Sequence, residues 1–113
     1  MKQALLVIDV QNDYFPGGKM ILSHPEAALA AVNRLEADFQ AKHLPIIYIQ
    51  HIKRQKDADF FEEGTVGAQL HPDLHVTDES IIIKKHFPNS FQETRLATVL
   101  QELAIDQVVI CGM

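Results

Sequence analysis

Apolar residues gather in four short runs, and between those runs they recur at helical spacing. Ala4-Leu5-Leu6-Val7-Ile8 is unbroken and stops at Asp9. An unbroken run of this kind is the signature of a strand buried on both faces of a parallel sheet. The pattern predicts strands at about 3–9, Ile46–His51, Ser80–Lys84 and Gln107–Cys111. Ser23-His24-Pro25-Glu26 has the form of a capping box, Ser at the cap and Glu three later. It predicts a helix running to about Lys42, with Ala28, Val32, Leu35 and Phe39 as its inward stripe. A second helix is predicted from Phe91 to Leu103, with Leu96, Val99, Leu100 and Leu103 on one face.

Between these elements, Phe15-Pro16-Gly17-Gly18 is turn chemistry. Residues 53–63 are polar and charged and predict a mobile loop, followed by an irregular stretch through His71-Pro72. Strands alternating with helices imply a parallel sheet joined by right-handed crossovers. The expected fold is therefore α/β. It is a three-layer α/β/α sandwich with a mostly parallel, Rossmann-like sheet and the first strand central. All 113 residues form one small domain, long enough for a real core. The chain reaches Gly112-Met113 just past a strand, where a parallel sheet expects a covering helix. On the sequence alone it reads as truncated after the fourth strand, or covered there by a partner.

Composition narrows the function classes. Apolar content of 47% and charged content of 22% are ordinary for a soluble globular chain. The net charge of −5 argues against nucleic-acid binding, which asks for a basic face. Lys53, Arg54 and Lys56 form a small basic cluster, expected to be solvated surface. No apolar run approaches the roughly 20 residues that span a bilayer, so no membrane association is expected. The single Cys111 excludes an internal disulfide framework, and no signal-peptide pattern precedes the first strand. A cytoplasmic location is the expectation.

The chemistry concentrates at strand ends. Asp9 closes the first strand and Lys84-Lys85 close the third, so both reach the C-terminal edge, where open α/β sheets carry their ligand crevice. A carboxylate and an ammonium meeting there hold the Asp charged and ready to accept a proton. A structural ion pair is the plainer reading of the same residues. His51 ends the second strand at that edge. Gln11, Tyr14, Phe15 and Phe87 are candidate pocket walls by position.

Three enzyme classes fit poorly. A haloacid-dehalogenase phosphatase needs Asp-x-Asp, and Gln11 occupies the second position. A dinucleotide site needs Gly-x-Gly-x-x-Gly opening the first helix, and Gly17-Gly18 lacks that spacing. A two-carboxylate glycosidase needs a second acid placed opposite Asp9.

Four segments together carry a family resemblance. Ala4–Asp13 is an apolar run followed by Asp-x-Gln-x-Asp. Gly64-Thr65-x-Gly67-Ala68 is a Gly-Thr-x-Gly-Ala loop. Lys85 is followed by Asn89-Ser90-Phe91 and Thr94. Val108-Val109-Ile110-Cys111-Gly112-Met113 resembles the start of Val-Val-x-Cys-Gly-Val/Met-x-Thr-x-x-Cys. In this order the chain resembles the isochorismatase-like cysteine hydrolases, which include nicotinamidases and N-carbamoyl amide hydrolases, over essentially its whole length.

The resemblance implies that residues 1–113 are the N-terminal two-thirds of such a domain. It implies Asp9 as general base and Lys85 as the cation that favours the thiolate. Gln11, Phe15, His51 and Phe87 are the expected substrate contacts. The nucleophile would be the second Cys of the last motif, past Met113. Cys111 takes the first Cys position and is expected to pack as a small hydrophobe in a buried strand. The implied reaction is cleavage of a small amide or carbamoyl C–N bond through a thioester. Family alternatives are vinyl-ether hydrolysis with Asp9 as acid, or an inert member that binds a small molecule or partner subunit. The implied partners are a small-molecule substrate and further copies of the chain in a homo-oligomer. No cofactor is expected. Family nicotinamidases hold zinc with Asp-x-His after the second strand. Here His51-Ile52-Lys53 stands there, and charged Lys is a poor ligand, so no metal is expected.

Overall fold

Ala4, Leu5, Leu6 and Val7 are all buried, as a strand covered on both faces requires. The computed structural model describes residues 2–113. Strand β1 (Gln3–Ile8) is followed by helix α1 (Pro25–Ala41) and strand β2 (Ile46–His51). Strand β3 (Ile81–Lys85), helix α2 (Leu96–Glu102) and strand β4 (Gln107–Gly112) complete the regular elements, with 3₁₀ turns at Asn12–Tyr14 and Val66–Ala68. The four strands form one parallel sheet in the order β3-β2-β1-β4.

Alternation along β1 divides the core. Leu5 and Val7 join Leu29, Val32 and Phe39 of α1 on one face. Leu6 joins Ile47, Ile49, Ile83 and α2 residues Leu96 and Val99 on the other. The result is helix, sheet, helix. Strands β2 and β3 extend the sheet on one side of β1, and β4 returns to its other side. That reversal opens a crevice at the C-terminal ends of the central strands, where α/β sheets receive ligands.

Local chemistry shifts several boundaries. The Ser23 capping box does not form. His24 holds the N-cap in a left-handed conformation without a side-chain cap bond, and Pro25 opens the helix. Proline is pre-organised for that position and lacks the N–H that a cap would satisfy. The inward stripe is Pro25, Leu29, Val32, Glu36 and Phe39, rotated from the expected one, with Ala28 and Leu35 half-buried. Glu36 is wholly buried and is satisfied by the Tyr48 hydroxyl (2.5 Å), the Asn33 amide (2.8 Å) and the His75 backbone N–H (2.8 Å). It ties the 71–76 loop to α1 and β2. Helix α2 begins at Leu96 rather than Phe91, because residues 91–95 turn, with Thr94 donating to the Ser90 carbonyl. Phe91 is left exposed. Strand β4 was expected to be buried. It pairs with β1 alone at the sheet edge, and Ile110 is 64% exposed.

The 53–63 segment corrects another expectation. It is anchored, not a free loop. Phe61 and Ala58 are buried, Lys53 and Phe61 bond through their backbones, and the Lys53 ammonium meets the Asp59 carboxylate at 2.8 Å.

Candidate active site

Asp9 leaves β1 with φ at 58°, a left-handed turn that Asp tolerates better than most residues. The turn lifts its carboxylate off the end of the strand. Lys85, the last residue of β3, is 2% exposed, and its ammonium lies 3.4 Å from Asp9 Oδ2. The same ammonium donates to the Pro88 carbonyl at 3.0 Å and reaches the Ser90 hydroxyl at 3.4 Å. Asp9 Oδ1 is buried and accepts no hydrogen bond from the described residues. A buried carboxylate oxygen left open in this way is costly. It is also free to take a proton from a ligand.

Burial pushes the Asp9 carboxyl above its usual range, and Lys85 pulls it back only part of the way. Burial, and then the Asp9 charge, push the Tyr14 phenol up, so it stays a neutral donor. Burial pushes the His51 imidazole down, with Lys85, Lys53 and His86 adding to the shift. His51 is therefore mainly neutral at physiological pH.

These groups share one cavity of about 590 Å³. Asp9 and Lys85 form its polar floor, Tyr14, Phe60 and Pro88 give it apolar surface, His51 and His86 add imidazoles, and Lys53 and Arg54 add positive charge. Tyr14 packs edge-on against Phe61 with ring centroids 4.7 Å apart, and Phe60 meets Phe61 at 4.8 Å. The Lys53 ammonium lies 3.7 Å from the Phe60 ring centroid, a cation–π contact.

The structure thus brings Asp9, Lys85 and His51 together and separates the other candidates. Gln11 is fully buried behind the site and does not line the cavity. Its amide donates to the His51 carbonyl (2.8 Å) and the Ala68 carbonyl (2.7 Å), and accepts from the His51 N–H (2.8 Å). It mimics a neighbouring peptide and fixes the end of β2. Phe15 belongs to the α1-side core, 4.3 Å from the His71 ring, and does not line this cavity. Phe87 is half-buried and also absent from the wall, although His86 and Pro88 on either side are present. Of the basic cluster, Arg54 and Lys56 are exposed, as expected, and Lys53 is half-buried, while Lys53 and Arg54 also border the cavity. Their position just past β2 was the available signal.

The other motif residues build the frame. Asp13 is buried, and its carboxylate accepts from the Phe61 N–H (2.7 Å) and the Lys19 N–H (3.1 Å). Gly67 lies so close that a Cβ there would overlap this carboxylate. Gly112 approaches the Ile8 backbone in the same way, at φ 128°. Cys111 is half-buried against the α1-side core. Burial, then the Glu36 charge, push its thiol up to about 11, so it is not an activated nucleophile. The zinc arrangement of nicotinamidases does not fit this site. Lys53 is paired with Asp59, and no three His, Cys, Asp or Glu among the described residues gather closely enough to hold a metal.

The family model for the isochorismatase domain matches residues 3–113. The chain belongs to the isochorismatase family. An uncharacterized isochorismatase family protein of Bacillus subtilis is 42% identical over the whole of this chain and 63% of its own length. A crystal structure from Oleispira antarctica, assigned to the isochorismatase hydrolases, superposes with a TM-score of 0.93 at 38% identity, over 99% of this chain and 60% of that one. A nicotinamidase of Acinetobacter baylyi is 28% identical, covering 100% of this chain and 71% of the enzyme. The isochorismatase-family chain described here therefore spans under two thirds of the length of the first two relatives.

Proposed function

We propose that this isochorismatase-family domain serves a hydrolase that cleaves the C–N bond of a small amide or carbamoyl compound through a cysteine thioester. The observation that carries the reading is Asp9. One carboxylate oxygen is held by Lys85, the other is buried and open, and both stand at the floor of a ligand-sized cavity.

In this mechanism the thiol belongs to a residue past Met113, at the second Cys of the motif that Val108–Met113 opens. Asp9 takes the thiol proton, and the thiolate attacks the carbonyl carbon. The tetrahedral adduct expels nitrogen, which leaves as an amine or ammonia with the proton Asp9 held. Water then attacks the thioester, returns the thiol and releases the acid. Burial makes Asp9 a stronger proton acceptor than an exposed Asp, and Lys85 keeps it ionised enough to act. The nicotinamidase relative, whose name denotes an amide substrate, supports the same chemistry.

One observation favours a second reading. A carboxyl raised by burial with a free oxygen can also act as an acid, as hydrolysis of a vinyl ether requires. Thiol alkylation separates the two, because it abolishes the cysteine route and spares the acid route. The test of the main reading is ammonia release from primary amides by the protein carrying this domain. Asp9→Asn and Lys85→Ala are expected to abolish turnover while the fold is retained. Activity retained by either variant refutes the assigned roles.

A further inference from the structure

Two polar groups on one cavity wall stand without a partner. Asp9 Oδ1 is buried and accepts no hydrogen bond from the described residues. No described residue bonds the hydroxyl of Tyr14, which lines the same cavity. The Tyr14 ring itself is held firmly. Tyr14 closes the 3₁₀ turn after β1, its N–H donates to the Gln11 carbonyl at 3.1 Å, and its carbonyl accepts from the Leu22 N–H at 3.1 Å. Phe61 meets the ring edge-on at 4.7 Å, and Phe60 lies at 6.0 Å. All of these contacts go to ring or backbone. A Phe would satisfy them equally, so the hydroxyl serves no packing purpose. The Asp9 charge is felt at the phenol. The shift at His51 comes instead from burial and from Lys85, Lys53 and His86. Of the uncharged polar groups on the wall, Tyr14 is thus the one coupled to Asp9.

We propose that Tyr14 is a further catalytic residue, whose hydroxyl holds, together with Asp9 Oδ1, the water that hydrolyses the thioester. The inference rests on the cysteine reading for the thioester itself. Water suits the two groups, because it donates a hydrogen to the carboxylate and accepts one from the phenol. Lys85 engages the other Asp9 oxygen, so Oδ1 is the one left to receive the water's proton. In the step, the water oxygen bonds to the thioester carbonyl carbon while one of its protons passes to Asp9 Oδ1. The C–S bond then breaks, and the departing sulfur takes that proton from Asp9. Tyr14 keeps its own proton throughout, in line with the higher proton affinity that burial and Asp9 give it. Its contribution is orientation. A water held at two points is already aimed at the carbonyl and loses less freedom when it attacks.

The experiment uses the intact protein carrying this domain and 4-nitrophenyl acetate, an activated ester that acylates a reactive thiol. The nitrophenolate burst reads acylation, and rapid-quench intact mass reads the acetyl-enzyme and its decay. Nitrophenolate leaves without needing a proton, so Tyr14→Phe is expected to keep the burst and the circular dichroism of the parent. Decay of the acetyl-enzyme is expected to slow on the order of 10- to 100-fold, the scale of a hydrogen bond to a group that is gaining charge. Hydroxylamine attacks a thioester without giving up a proton first. It should therefore discharge the acetyl-enzymes of parent and variant at similar rates, a readout that a purely structural role of Tyr14 would not produce. Decay at the parent rate in folded Tyr14→Phe overturns the inference and leaves the cysteine reading standing. Equal slowing with water and with hydroxylamine also overturns it, since the defect is then not in holding water. A parent that forms no acetyl-enzyme refutes the cysteine reading, and the inference falls with it.

Discussion

Replacing Lys85 with Met keeps most of the side-chain volume and removes the charge. The ammonium sits 3.4 Å from Asp9 Oδ2, with the two residues only 2% and 8% exposed. At an effective dielectric near 20, the attraction at that distance is about 5 kcal/mol. Removing one partner of a buried pair typically destabilises by about 3–5 kcal/mol, because the other charge stays buried alone. The loss should depend on pH. Burial raises the folded-state carboxyl of Asp9 above the ordinary 3.8, so the folded state holds that proton more tightly than the unfolded chain. Stability from this group therefore falls as pH climbs from 3.8 through the folded value, and the penalty is complete above it. Without Lys85 the folded value moves higher still, and the window widens upward. Urea denaturation followed by circular dichroism should show Lys85→Met less stable than the parent by about 3 kcal/mol at pH 8, with a smaller gap at pH 5. A gap that is the same at both pH values, or below about 1 kcal/mol at pH 8, refutes this reasoning.

Three further outcomes test the frame around the site. Gln11→Ala removes three hydrogen bonds that fix the end of β2, and should cost about 1–3 kcal/mol in denaturant unfolding, since the His51 N–H and carbonyl lose their partner while the Ala68 carbonyl keeps the Gln50 amide. A loss under about 1 kcal/mol would show that water replaces the amide there. Gly67→Ala drives a methyl into the Asp13 carboxylate and should destabilise by about 1–3 kcal/mol, whereas a neutral result would show that the 64–68 loop can move away. Cys111 should react slowly with iodoacetamide at pH 8 and faster only as pH nears 11, and rapid labelling at pH 8 would contradict its assignment as packing.

The sheet was legible because its physics is local. A run such as Ala4–Ile8 has one economical use, burial on both faces, and the strand-end positions of Asp9, His51 and Lys85 follow from it. The helix starts were less legible. Ser23 and Glu26 match a capping box, but a left-handed His24 and the ring of Pro25 override it. Glu36 lies outside the apolar stripe that the sequence marks on its helix. Its burial depends on Tyr48, Asn33 and His75, partners that only tertiary packing brings near. The 53–63 segment misled for a similar reason. Its charges suggest a free loop, while one buried Phe61 and the Asp13 carboxylate fasten it and place Lys53 and Arg54 on the cavity. Gln11 and Phe15 lie near Asp9 in sequence, yet the turn after β1 directs Gln11 into the frame and Phe15 into the core.

The central claim is that Asp9 handles the proton in amide hydrolysis. Ammonia release from a primary amide, measured for the parent protein and for Asp9→Asn with the fold checked by circular dichroism, tests it most directly. Turnover by the parent and its loss by several orders of magnitude in the folded variant is the predicted result. A folded Asp9→Asn that turns over at the parent rate would contradict it.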